Sequence, residues 1–138
     1  AELLESDNQP RAILFETALH GELLNLDEED NKRHYAGGMS ANRINAGLGM
    51  IISQLLEKVG KEKVAGLYTT GGDTMVNVCY QLGVECIEVM DYVIPQTDVG
   101  RLVGSKYSGL PVVGKGGLTG NDNTACDIVS RLFRESAR

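Results

Sequence analysis

The sequence predicts an α/β fold: three layers, with a mostly parallel sheet flanked by helices. Two observations predict it. Short apolar runs of strand length alternate with longer stretches whose apolar residues recur every three or four positions. The 17 glycines among 138 residues follow no fixed period and stand mostly where one element gives way to the next.

Taken in chain order, residues 11–17 read as a strand, because the run Ala12, Ile13, Leu14, Phe15 is too short for a helix. Polar residues then dominate as far as Ser40, which is placed to cap a long helix. Its apolar stripe is Ile44, Leu48, Ile51, Ile52, Leu55, Leu56 and Val59, and Gly60 ends it. Residues 64–68 form the next expected strand. The loop at 69–74 leads from it into a helix that buries Met75, Val78, Cys79 and Leu82 and stops at Gly83. A third strand is expected at 84–89, a turn at Pro95 and a fourth strand at 110–113. The loop 114–120 follows, and a last helix starts near 121–123 with Ala125, Ile128, Val129, Leu132 and Phe133 on one face. Residues 1–138 read as one domain.

Composition removes several classes of function. Net charge is −6; residues 1–35 hold nine acids and three bases, while the rest carry ten of each. A basic footprint for nucleic acid is missing, and with no Trp and 5% aromatics there is no stacking platform for bases. Asp27, Glu28, Glu29 and Asp30 lack the alternation of a calcium loop and read as a solvated loop. No apolar stretch approaches the ~18 residues of a membrane span. Cys79, Cys86 and Cys126 form no CxxC pair and fit reduced, mostly buried thiols in a cytoplasmic protein. The opening, without Met and among charged residues, is that expected of a piece of a longer protein.

The chemistry points to the two glycine-rich loops. Each follows an expected strand and precedes an expected helix, so in a parallel sheet both open at the carboxyl edge, where such folds bind ligands. Glycine lets backbone N–H groups approach an anion, and each helix N-terminus adds its positive dipole end. Lys115 adds a mobile cation. The candidate binding residues are therefore Thr70, Gly71, Gly72, Asp73, Thr74, Lys115, Gly116 and Gly117. Neither a Walker loop nor a dinucleotide fingerprint fits: Gly72 stands where the Walker lysine belongs, and Thr119 stands where the last fingerprint glycine belongs. Plainer roles exist for several of these residues. Asp73 and Asp122 suit helix N-caps, the threonines suit loop bracing, and His20 and His34 are isolated. No serine or cysteine sits on a nucleophile elbow.

The segment Leu67-Tyr68-Thr69-Thr70-Gly71-Gly72-Asp73-Thr74, the Pro95 turn and Val112-Val113-Gly114-Lys115-Gly116-Gly117 resemble the C-terminal nucleotide-binding domain of the four-carbon acid sugar kinases. The resemblance spans roughly residues 64–133. Residues 71–74 match the family's G-G-[DE]-T loop, and residues 115–117 match its usual K-S-G. Three positions depart: Gly116 replaces serine, Gln96 replaces the glycine after Pro95, and Thr119 replaces a common aromatic. The family's upstream serine-containing motif is not found.

The resemblance implies ATP as phosphoryl donor with magnesium. It also implies a four-carbon acid sugar (threonate, erythronate or 3-oxo-tetronate) bound by an absent N-terminal domain. The chain is then the C-terminal part of a two-domain cytoplasmic kinase, inactive alone, with the catalytic base elsewhere. No metal ligand is assigned to it, neither nucleic acid nor membrane is an expected partner, and self-association is left open. The alternative is a non-catalytic α/β module that binds a nucleotide or phosphorylated metabolite.

Overall fold

A computed structural model describes residues 10–137. After an irregular segment come helix α1 (Leu26–Lys32), helix α2 (Met39–Val59) and a 3-10 turn (Lys61–Lys63). Strand β1 (Leu67–Thr70), helix α3 (Gly72–Gln81), strands β2 (Cys86–Ile94), β3 (Thr97–Val103) and β4 (Pro111–Lys115), and helix α4 (Thr124–Ser136) complete the chain. The four strands form one sheet in the order β1-β4-β3-β2. Among the described residues no helix is long and apolar enough to cross a membrane.

The α/β class is observed, but the sheet is mixed rather than mostly parallel. β1 and β4 pair in parallel, whereas β3 runs antiparallel to both β4 and β2. The difference comes from β3, a strand the sequence pattern hides. Its residues Thr97-Asp98-Val99-Gly100-Arg101-Leu102-Val103 interleave a glycine and two charges with the apolar positions. Gly100 is nonetheless required, since a β-carbon there would lie 2.5 Å from the Glu88 carbonyl oxygen of the neighbouring strand. β2 and β3 form a hairpin around Pro95 and Gln96. Gln96 has φ 61°, the third-position geometry of a type II turn that normally calls for glycine.

Helices pack on both faces of the sheet. On one face, Leu56 of α2 with Val78 and Leu82 of α3 cover Leu102 and Val112. On the other, Ile128 and Leu132 of α4 cover Val99 and Val113. Alternation along the strands accounts for this, because Val112 and Val113 are successive and point to opposite faces. Each such fully buried aliphatic side chain contributes about 1.5–3 kcal/mol. α2 and α3 pack closely at Gly49, where a β-carbon would meet the Asn77 carbonyl oxygen at 2.8 Å.

Several expectations are corrected. Residues 11–17 form no strand, because no other strand in the described chain pairs with them; Leu14 is 74% exposed. The expected strands are displaced, with β1 beginning at Leu67 and β2 running on to Ile94. The acidic segment is helix α1 rather than a loop, with Asn25 as its N-cap. Asp30 is buried, and its carboxylate accepts the Gly38 and Ser40 amides, each at 2.7 Å. Ser40 therefore lies inside the first turn of α2, and Asp30 does the capping from outside the helix. Hydrogen bonds, first of all from the Ser40 side chain, outweigh burial and hold the Asp30 carboxyl below its ordinary range. All three cysteines are free thiols, but Cys86 and Cys126 are exposed rather than buried.

Candidate functional site

The parallel pairing sets β1 and β4 side by side, in register Thr70 with Lys115. The chain leaves both strands at the same edge. The Gly71 amide donates to the Lys115 carbonyl at 3.0 Å, which ties the start of one glycine loop to the start of the other. From this edge α3 begins at Gly72 directly, while α4 begins at Thr124 after the longer second loop. The candidate residues of the two loops are thus brought together at a carboxyl edge, as expected.

In the first loop, Gly71 is the N-cap of α3 with φ 90° and offers no side-chain cap. The first amides of the helix, on Gly72, Asp73 and Thr74, therefore have no partner inside it. A β-carbon on Gly72 would meet nothing within 4 Å, so space lies open over this helix end. Asp73 is exposed in the first turn and is not the N-cap the sequence suggested. The Thr74 hydroxyl donates to the Asn45 side chain of α2 at 2.9 Å, which braces the loop from behind. Asn45 was not anticipated; its trace in the sequence is a polar residue beside the apolar stripe position Ile44.

The second loop folds around its own lysine. The Lys115 ammonium donates to the carbonyls of Gly116 at 2.6 Å, Thr119 at 2.8 Å and Gly117 at 3.4 Å. The Thr119 hydroxyl also donates to the Gly116 carbonyl, at 3.1 Å. Lys115 is therefore half-buried inside its loop rather than projecting freely, because neighbouring carbonyls lie within reach of its stem. The Gly116 amide donates to the Gln96 carbonyl at 3.0 Å, joining the hairpin turn to the loop. A β-carbon on Gly117 would meet nothing. At α4, Asn123 rather than Asp122 is the N-cap, and it makes no side-chain cap. Asn121 and Thr124 clamp that turn instead, the Asn121 amide donating to the Thr124 hydroxyl at 2.8 Å.

Register places Thr70, Lys115 and Thr97 in one row across three strands. Val113 lies on the α4 face, and Lys115, two residues on, shares it. Thr97 is fully buried and its hydroxyl has no partner, a state that costs about 1–3 kcal/mol. It follows the unusual Gln96 turn, which was the one sequence sign of a special position. Tyr68 shares the same face, and burial pushes its phenol up, so the ring stays neutral near pH 7. The edge thus holds orphan helix amides, hydroxyls, an ammonium engaged by its own loop and the exposed Asp73 carboxylate; the helix amides suit a phosphate.

The description "nucleotide-binding C-terminal domain" belongs to the family model that matches residues 1–125, a match that starts well before residue 64. The chain is 44% identical over 93 residues to a D-erythronate kinase of Heliobacterium modesticaldum, covering 67% of this chain and 21% of the relative. It is 34% identical over 87 residues to a D-threonate kinase of Salmonella typhimurium, covering 63% and 20%. The chain therefore spans about a fifth of the length of these curated relatives. Two crystal structures of a domain of unknown function from Bordetella bronchiseptica superpose with a TM-score of 0.63 and 30% identity. They cover 73% and 72% of this chain, which matches 25% and 24% of theirs; both are domain-swapped dimers with bound citrate.

Proposed function

The chain belongs to the nucleotide-binding C-terminal domain family of the four-carbon acid sugar kinases, and from that premise we propose that it is the ATP-holding part of such a kinase. The observation that carries this reading is the Gly71–Lys115 bond at 3.0 Å. It joins two loops that are 44 residues apart in sequence. The open space over Gly72 and Gly117 fits a phosphate chain, which needs backbone amides at close approach.

On this reading the amides of Gly72, Asp73 and Thr74 hold phosphate oxygens and Lys115 offsets their charge. On the same reading the exposed Asp73 carboxylate would hold a magnesium ion. A bound magnesium nucleotide supplies the phosphoryl group. The contribution of this chain is positioning and charge neutralisation, the larger part of catalysis in phosphoryl transfer. Further polypeptide supplies the acid sugar site and the base, so the chain alone does not turn over threonate or erythronate. The free thiols suit a cytoplasmic enzyme, and the dimeric relatives make self-association worth measuring.

Two observations favour the second reading, a non-catalytic nucleotide or phosphometabolite module. The Lys115 ammonium is engaged by its own loop, and glycine replaces the loop serine. Gly72→Val tests the binding reading. The added side chain enters open space, so the melting temperature holds while MgADP affinity falls about ten-fold or more. Unchanged affinity would remove the first loop from the site.

A further inference from the structure

We propose that the cleft at the opposite, amino-terminal end of β4 is a second binding site, for a small polyanion carrying phosphate or carboxylate groups. The cleft has a volume of about 510 Å³, within the ~300–1,000 Å³ of small-molecule sites. It lies between the 3-10 turn, the loop before β4 and the last turns of α4. Val64, Leu110, Pro111 and Phe133 give it an apolar floor. Lys61, Lys63 and Arg101 supply the charge.

Among the described residues these three cations have no carboxylate partner, in contrast to four others. Lys32 and Arg33 pair with Glu29, Lys106 with Glu57, and Arg131 with Asp91 and Glu135. Arg101 instead donates to the carbonyls of Gly109 at 2.7 Å and Glu135 at 3.1 Å, and Lys61 donates to the carbonyl of Ser108 at 3.0 Å. Neutral acceptors orient these groups without cancelling their charge. Each group also keeps N–H donors to spare, three on Arg101 and two on Lys61. Lys63 is exposed, and among the described residues no carboxylate lies within 4 Å of it. A fourth cation, Arg11, sits over the Phe133 ring at 5.1 Å from its centroid.

Two acids oppose them: Glu62 in the lining and Glu88, across from Arg101 on β2. In the lining itself three cations, Lys61, Lys63 and Arg101, face one acid, Glu62, which leaves the cleft positive in a chain of net charge −6. An oriented guanidinium beside ammoniums above an apolar floor suits a compact anion with a carbon body. The site does not depend on the nucleotide reading, since Lys61, Lys63 and Arg101 lie outside both glycine loops.

The test is amide chemical-shift titration of the 138-residue chain at fixed ionic strength, with inorganic pyrophosphate as one probe and citrate as the other. The expected result is saturable shifts at residues 61–65 and 108–110 from at least one probe. The preferred probe identifies the ligand as phosphate or carboxylate. Affinity should fall about ten-fold or more in Lys61→Ala/Lys63→Ala and stay unchanged in Lys115→Met. Lys63 is exposed and Lys61 half-buried, and the spectrum of the double variant reports that the fold is retained. If neither probe moves these amides at about 10 mM, or if the double variant binds as before, there is no such site. Shifts confined to residues 70–74 and 115–117 would equally overturn the proposal.

Discussion

Replacing Lys115 with methionine keeps the stem and removes the ammonium, which measures what the carbonyl cage contributes. Two of its bonds are short, 2.6 Å to Gly116 and 2.8 Å to Thr119, while the third, at 3.4 Å, is too long to count for much. A hydrogen bond involving a charged group contributes roughly 1.5–3 kcal/mol. Lys115 is only half-buried and Gly117 is exposed, so water recovers part of that loss. A net destabilisation of about 1–2 kcal/mol follows, equivalent to a fall of roughly 4–8 °C in melting temperature for a chain of this size.

The same cage taxes ligand binding, because the ammonium must leave these carbonyls to reach a phosphate. The net loss of MgADP affinity in Lys115→Met is therefore modest, about ten-fold or less. Calorimetric melting and titration on the same sample read both quantities. A melting temperature unchanged within a degree, together with a loss of binding far beyond ten-fold, would refute the cage.

Two further outcomes follow from buried polar groups. Thr97→Val removes a hydroxyl that is buried without a partner and should raise stability by about 1 kcal/mol, read as a higher midpoint in urea; a lower midpoint would mean that the hydroxyl is satisfied. Asp30 has its carboxyl held below the ordinary range when folded. Its contribution is therefore present above the unfolded value near ~3.9 and is lost as pH falls through the lower folded value. Asp30→Asn should accordingly melt below wild type at pH 7, with the gap closing as pH falls below about 4. A gap independent of pH would contradict the capping role.

What could be read in the sequence was local. The stripe from Leu48 to Val59, the stop at Gly60, and the loops at Gly71-Gly72 and Lys115–Gly117 depend on residues close in the chain, and the observed elements fall near them. The placement of both loops at one edge needed only that β1 and β4 be parallel. What could not be read depends on distant partners. Thr97–Val103 looks unlike a central strand, because its glycine answers a carbonyl on Glu88 rather than any local preference. Residues 12–15 look like a strand but find no strand to pair with among the described residues. Asp30 looks like one acid among four until the chain turns back and presents the Gly38 and Ser40 amides to it. Lys115 stands out in the sequence by its place beside the glycines, but its engagement with three carbonyls arises from the closed shape of the loop.

Two loops that form one nucleotide site report a single binding event when MgADP is titrated into the isotope-labelled 138-residue chain and the backbone amides are followed. The two loops should respond together: residues 71–74 and 115–117 shift with a single dissociation constant, and NADH binds more weakly than ADP. Separate constants for the two loops, no shift in one of them at about 10 mM nucleotide, or tighter binding of NADH would contradict a single nucleotide site.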